Sequence, residues 1–239
     1  MPRHGKRYND AVAKVGESAK TPQEAVALAR ELASAKFDEA VELHVATTAD
    51  VRHADQQMRE VASLPHGTGK AVRVFVFAEG EAARSAEEAG ADYVVDDELT
   101  KRVEAGWSDF DIAIATPDMM PKIARLGRFL GRKGLMPNPR TGTVVQPQDI
   151  ASAITAAKQG RAEVRLDKTA VVHTRIGSAK FTDEQLLDNL ASVYGTISRA
   201  KPAGVKGNFI KSASLCTTMG PGIKIDVPAL EALAKEAVS

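Results

Sequence analysis

Val72-Arg73-Val74-Phe75-Val76-Phe77-Ala78, then Ala82 to Ala89 closed by Gly90, then Asp92-Tyr93-Val94-Val95, is the stretch that decides the fold. Two short apolar runs flank a segment of helical length that ends in glycine, which is a βαβ unit. The alternation continues through Leu99 to Ala105, a strand at Ile112 to Ala115 and a helical stretch from Asp118 to Phe129, as in a small doubly wound parallel sheet. Gly142-Thr143-Val144 and a helical pattern from Pro147 to Gln159 finish the unit, and Gly160 ends that helix.

On either side the pattern is different. Upstream, Thr21 and Glu24 form a Thr-x-x-Glu capping box for a helix over Pro22 to Ala35. Phe37 to Thr48 then alternates as a half-buried strand, with Val41, Leu43 and Val45 on one face and Glu42, His44 and Ala46 on the other. Val61 to Leu64 is a possible partner strand, broken by Pro65-His66-Gly67-Thr68-Gly69. Downstream, Ala162 to Leu166 and Ala170 to Thr174 flank Asp167-Lys168-Thr169 as a hairpin. Thr182 and Gln185 box a helix over Asp183 to Ile197, and Phe209 to Thr217 with Ile223 to Val227 read as a last strand pair. The tail from Pro228 is a short helix or frayed.

The expected fold is therefore α/β with two domains. One is a discontinuous two-layer α/β domain made from both termini, over residues 1–67 and 160–239, whose later helix and strands complete the N-terminal sheet. The other is an inserted Rossmann-like parallel domain over 68–159. Gly67, Gly69 and Gly160 mark the two crossings as a hinge.

Composition sets the outer limits. With 44% hydrophobic and 26% charged residues the chain has an ordinary globular balance, which excludes disordered and collagen-like classes. No apolar run spans a bilayer and no apolar segment follows the N-terminal charges, so a soluble, unexported protein is expected. The single cysteine, Cys216, forms no internal disulfide and suits a reducing cytosol. A net charge of +1 hides a split distribution. From Ala78 to Asp111 there are eleven acids to three bases, whereas from Lys158 to Lys224 there are eleven bases to five acids, so the neutral total hides two opposed surfaces.

Candidate chemistry thins quickly. Glu79-Gly80-Glu81 stands where a dinucleotide-binding glycine fingerprint would follow the first strand, and its two acids repel a pyrophosphate. Gly67-Thr68-Gly69-Lys70 lacks the remaining residues of a phosphate loop. Five scattered histidines and one cysteine have no metal-ligand spacing, so no metal is expected, and Cys216 has no activating neighbour in sequence. No catalytic residues and no cofactor are expected.

Two segments resist an ordinary reading. Pro121 to Arg140 carries six bases and no acid among glycines, and is either a phosphate-contacting surface or a solvated helix–loop junction. Thr217-Thr218-Met219-Gly220-Pro221-Gly222 offers two hydroxyls, a thioether and open backbone beside Lys211 and Lys224. It is either an RNA-contacting loop or a plain turn with Met219 in the core.

Four motifs together resemble one family: Leu126-Gly127-Arg128 through Gly134-Leu135-Met136-Pro137-Asn138-Pro139, Ser63-Leu64-Pro65-His66-Gly67-Thr68-Gly69, Ala35-Lys36-Phe37-Asp38-Glu39 and Thr217-Thr218-Met219-Gly220-Pro221. In order and spacing they are similar to the bacterial large-subunit ribosomal protein L-one family over nearly the whole chain, up to Val227. The resemblance implies a cytoplasmic, ribosome-associated protein, monomeric when free, without cofactor or membrane. Its implied partners are the large-subunit rRNA of the mobile stalk, exit-site tRNA whose release it assists, and the mRNA of its own operon, whose translation it represses. The implied RNA-facing residues are Lys36, Phe37 and Glu42 on the first strand and Thr217, Thr218, Met219 and Gly220 in the late loop, with Lys168, His173 and Lys211 as additions. Val51, Glu60 and Arg132 depart from the family pattern.

Overall fold

The computed structural model describes residues 5–236, in two compact units, Met1–Gly69 with Ala162–Ser239 and Lys70–Arg161. The N-terminal segment forms α1 (Lys6–Val15), α2 (Pro22–Leu32), β1 (Ala40–Thr47) and β2 (Arg59–Ser63). Helix α1 adds to the elements read from the sequence; of its residues only Val15 is buried, which is why its apolar signal is faint. In α2 the Thr21 hydroxyl accepts the Glu24 N–H at 3.3 Å and the Glu24 carboxylate accepts the Thr21 N–H at 3.0 Å. The box thus satisfies two donors that the first turn leaves without partners. The helix stops at Leu32, where Ala33 turns extended, short of the expected Ala35.

The insert begins with β3 (Val74–Phe77), α3 (Glu81–Glu88), β4 (Tyr93–Val94), α4 (Asp97–Glu104) and β5 (Ile112–Ala115), followed by α5 (Met120–Ile123), α6 (Gly127–Arg132) and α7 (Ile150–Gln159). The three strands are parallel, in the order β4-β3-β5. All four residues of β3 are buried, and its alternation divides them between two cores. Val74 and Val76 pack with Ala82, Ala86, Ile150 and Ile154, whereas Phe75 and Phe77 pack with Val103, Ile123, Leu126 and Leu130. Helices on both faces explain why this strand reads as a continuous apolar run. The helical stretch expected over Asp118 to Phe129 is built from a 3₁₀ turn at Pro117–Met119, α5, a second 3₁₀ turn at Ala124–Leu126 and α6.

The chain returns through β6 (Arg161–Arg165), β7 (Val171–Ser178), α8 (Asp183–Arg199), β8 (Ile210–Thr217), β9 (Ile223–Ile225) and α9 (Val227–Glu236). Strand order β7-β1-β8-β9 makes a four-stranded antiparallel sheet, with β1 central. Two expectations are corrected here. Strand β2 pairs with β6 in a separate two-stranded sheet, not with β1, so the late strands complete two sheets rather than one. The Asp167 turn is tight, but its arms pair briefly, through a Leu166–Val172 bridge, the Asp167 N–H to the Val171 carbonyl and the Thr174 hydroxyl to the Glu163 carbonyl, before β7 turns to pair with β1.

Helix α8 carries the second capping box, Thr182 with Gln185. It lies against α2, α9, β2 and β7, and Leu186, Leu190, Val193, Tyr194 and Ile197 enter the core of this unit. Asn189 is fully buried on the same helix. Its Nδ2 donates to the carbonyls of Gly67 at 3.0 Å and Ile176 at 2.7 Å, and its Oδ1 accepts the His66 N–H at 3.1 Å. One side chain thus fixes the Pro65–Gly69 segment to helix and sheet. At the crossings Gly67, Gly69 and Gly160 have φ of +66°, +76° and +105°, in the left-handed region that favours glycine.

Candidate nucleic-acid interface

Alternation along β1 sends Val41, Leu43 and Val45 into the core and leaves Glu42, His44 and Ala46 half-buried on the other face. The register sets Arg175 and Cys216 on either side of Glu42, and His173 and Ser214 on either side of His44. Lys224 of β9 is exposed beside Ser214. Lys211 is the extra residue of a bulge in β8, since Ala46 faces Ser212 while Thr47 faces Ile210, and both Lys211 and Ser212 are exposed.

A rim of two loops adjoins this face, and Glu39 organises it. Although 2% exposed, its carboxylate accepts the Ala35 N–H at 2.8 Å and the Met219 N–H at 3.0 Å. Burial pushes the carboxyl pKa up, but the backbone donors outweigh it and hold the group below its ordinary value, so Glu39 is ionised at neutral pH. Thr218 adds two bonds to Ala40, its hydroxyl accepting the Ala40 N–H at 2.9 Å and its own N–H donating to the Ala40 carbonyl at 3.0 Å. Glu39 belongs to a quoted motif but not to the candidate contacts, because its two N–H donors come from loops that only the fold brings together.

The clamp corrects the placement of Lys36 and Phe37. They lie in the bend before β1, not on the strand, because the Glu39 bond to Ala35 turns the chain there. Phe37 and Met219 are each 55% exposed, and they are two of only four large apolar side chains exposed among the described residues. The core reading of Met219 is thereby excluded. Thr217 is buried, and a Cβ at Gly220 would collide with its hydroxyl, so Thr217 and Gly220 shape the loop from beneath. Thr218 is exposed. Helix α1 brings Arg7 and Lys14 to a hollow of about 210 Å³ shared with Met219 and Pro221, bases the sequence reading did not include.

Lys168 is exposed at the tip of a turn built by Asp167. The Val171 N–H and the Thr169 hydroxyl bond the Asp167 carboxylate at 2.9 and 2.7 Å and bring its pKa down to about 2. At the centre of the sheet His44 Nδ1 lies 2.7 Å from His173 Nδ1, and His44 Nε2 lies 3.1 Å from Cys216 Sγ. Burial, with His173 beside it, pushes the His44 pKa down. Burial, with Glu42 beside it, pushes the Cys216 thiol up, opposite to the shift that activates a cysteine nucleophile.

Exposed apolar side chains beside bases, on a rim next to the open face of an antiparallel sheet, describe a binding surface. The chain belongs to the ribosomal protein L1p/L10e family, whose model matches residues 29–221. It is 52% identical over 234 residues to the large ribosomal subunit protein uL1 of Dehalococcoides mccartyi, covering 98% of this chain and 99% of that protein. The protein of the same name from Chloroflexus aggregans is 52% identical over 235 residues, covering 98% and 99%. That from Thermomicrobium roseum is 53% identical over 229 residues, covering 95% of each. Membership places the chain among the ribosomal proteins of the bacterial large subunit, which are not enzymes.

Proposed function

We propose that this ribosomal protein grips the large-subunit rRNA of the stalk beside the tRNA exit site through the open sheet face and the two clamped loops. It acts on the ribosome in the cytoplasm. The observation that carries the reading is the Glu39 clamp, which holds Phe37 and Met219 outward at a rim with Lys36. Folded RNA is recognised through phosphate and 2′-hydroxyl contacts and by stacking on unpaired bases, and this surface offers bases, hydroxyls and flat or flexible apolar groups for each. Lys168, His173, Lys211 and Thr218 extend the contact, and Glu42 accepts from a donor on the RNA. Gly67, Gly69 and Gly160 are the proposed hinge of the insert. Assisting release of deacylated tRNA and repressing its own operon through a similar mRNA structure follow as finer proposals, and the protein works as a monomer when free.

Met219→Asp tests the loop. It is exposed, so the variant should melt as the parent does while specific rRNA binding weakens by about 1 to 3 kcal/mol, the value of one good specific contact. Unchanged affinity in the folded variant, measured by filter binding, would remove the late loop from the interface.

A further inference from the structure

We propose that Glu42, His44 and Cys216 form a zinc-binding site on the open face of the four-stranded sheet. Among the described residues these three groups each offer a ligand atom, and all three atoms lie within 4.8 Å of one another. The His44 Nε2 to Cys216 Sγ distance is 3.1 Å and the His44 Nε2 to Glu42 Oε2 distance is 3.9 Å. Zinc bonds of about 2.0 to 2.3 Å in tetrahedral array space their ligand atoms about 3.4 to 3.6 Å apart. Small side-chain rotations therefore bring the set onto one ion.

The sheet explains why the three converge. Glu42 and His44 are two apart on β1 and so share a face, and Cys216 stands directly opposite Glu42 on β8. Ligand spacing along the sequence conceals this, because Cys216 reaches the site only through strand pairing. Imidazole, thiolate and carboxylate are a donor set suited to zinc, and a half-buried, outward face leaves the fourth position to water. Binding breaks the Cys216 S–H bond, releases that proton to solvent and forms bonds from sulfur, the Nε2 lone pair and a carboxylate oxygen. No electron changes hands.

His173 supplies the orienting partner such sites need. With Nε2 turned to the metal, His44 carries its proton on Nδ1 and donates it to His173 Nδ1 at 2.7 Å. The other ring nitrogen of His173 faces Asp167 Oδ2 at 3.6 Å. His173 is thus a positioning residue, not a ligand.

Glu42 and His173 are also proposed RNA contacts, so metal and RNA would compete for this face; the experiment uses the full chain without RNA, and its outcome does not depend on the rRNA reading. Zn²⁺ is titrated against a chromophoric chelator, and Co²⁺ serves as a spectroscopic probe. The expected result is about one metal per chain at micromolar affinity or tighter, with a thiolate-to-cobalt charge-transfer band. Cys216→Ser removes the band, Glu42→Gln weakens binding, and His173→Gln weakens it about 10- to 100-fold while keeping the band. Absence of stoichiometric binding by the folded parent, or Cys216→Ser binding as tightly as the parent, would overturn the site.

Discussion

Asn189→Leu should destabilise the split unit by about 3 kcal/mol, because the leucine fills the space but leaves three backbone groups without their partner. At the size of this chain that corresponds to a fall in Tm of roughly 6 to 12 °C. The carbonyl of Ile176 is the most costly of the three to strand, since its bond to Asn189 lies wholly inside the protein. The other two belong to His66 and Gly67, the segment where the chain leaves this unit. Calorimetry checks the result, with the transition of this unit followed by circular dichroism. A Tm within a degree or so of the parent would mean that the backbone groups find other partners and that the asparagine does not hold the crossing.

Glu39→Ala should have the largest effect on RNA binding of any change that touches no RNA. The carboxylate bonds Ala35 and Met219, which lie on different loops. Bonds to an ionised acceptor are each worth about 1.5 to 3 kcal/mol, and the alanine takes that acceptor from both donors. The late loop then loses its tie, and Met219 and Phe37 no longer stand in fixed positions. Affinity for rRNA should fall about tenfold or more, with amide hydrogen exchange at Met219 rising to the rate of a mobile loop. Protected exchange at Met219 combined with weak binding would instead assign the loss to the charge of Glu39, and normal binding would show that the clamp is dispensable.

The parts of the fold that local chemistry dictates were readable from the chain. Thr21 and Thr182 carry both members of their capping boxes in four residues, so both helix starts were legible. Val74 to Phe77 reads as a fully buried strand, and the helical patterns on either side of it in sequence point to a parallel sheet with both faces covered. Pairing choices were not legible. Nothing in Val61 to Leu64 says that its partner is β6, a hundred residues on in the chain, rather than the nearby β1. The same limit applied to the interface. Lys211 and Lys168 enter as additions that the family resemblance implies, whereas Glu39 acts through bonds to two distant N–H groups, and Asn189 through one N–H and two carbonyls. The convergence of His44 and Cys216 likewise depends on strand register, which leaves no trace in sequence spacing.

The central claim, specific recognition of large-subunit rRNA, is tested most directly by binding the purified protein to a transcript of the stalk region. The comparison is an unrelated structured RNA of equal length, across a salt series. Phosphate contacts weaken steeply with salt, whereas shape and base contacts keep their preference. The account predicts tight binding to the stalk transcript with a preference that persists at high salt. Equal affinities for both RNAs, falling together as salt rises, would contradict it and leave only a phosphate-binding surface.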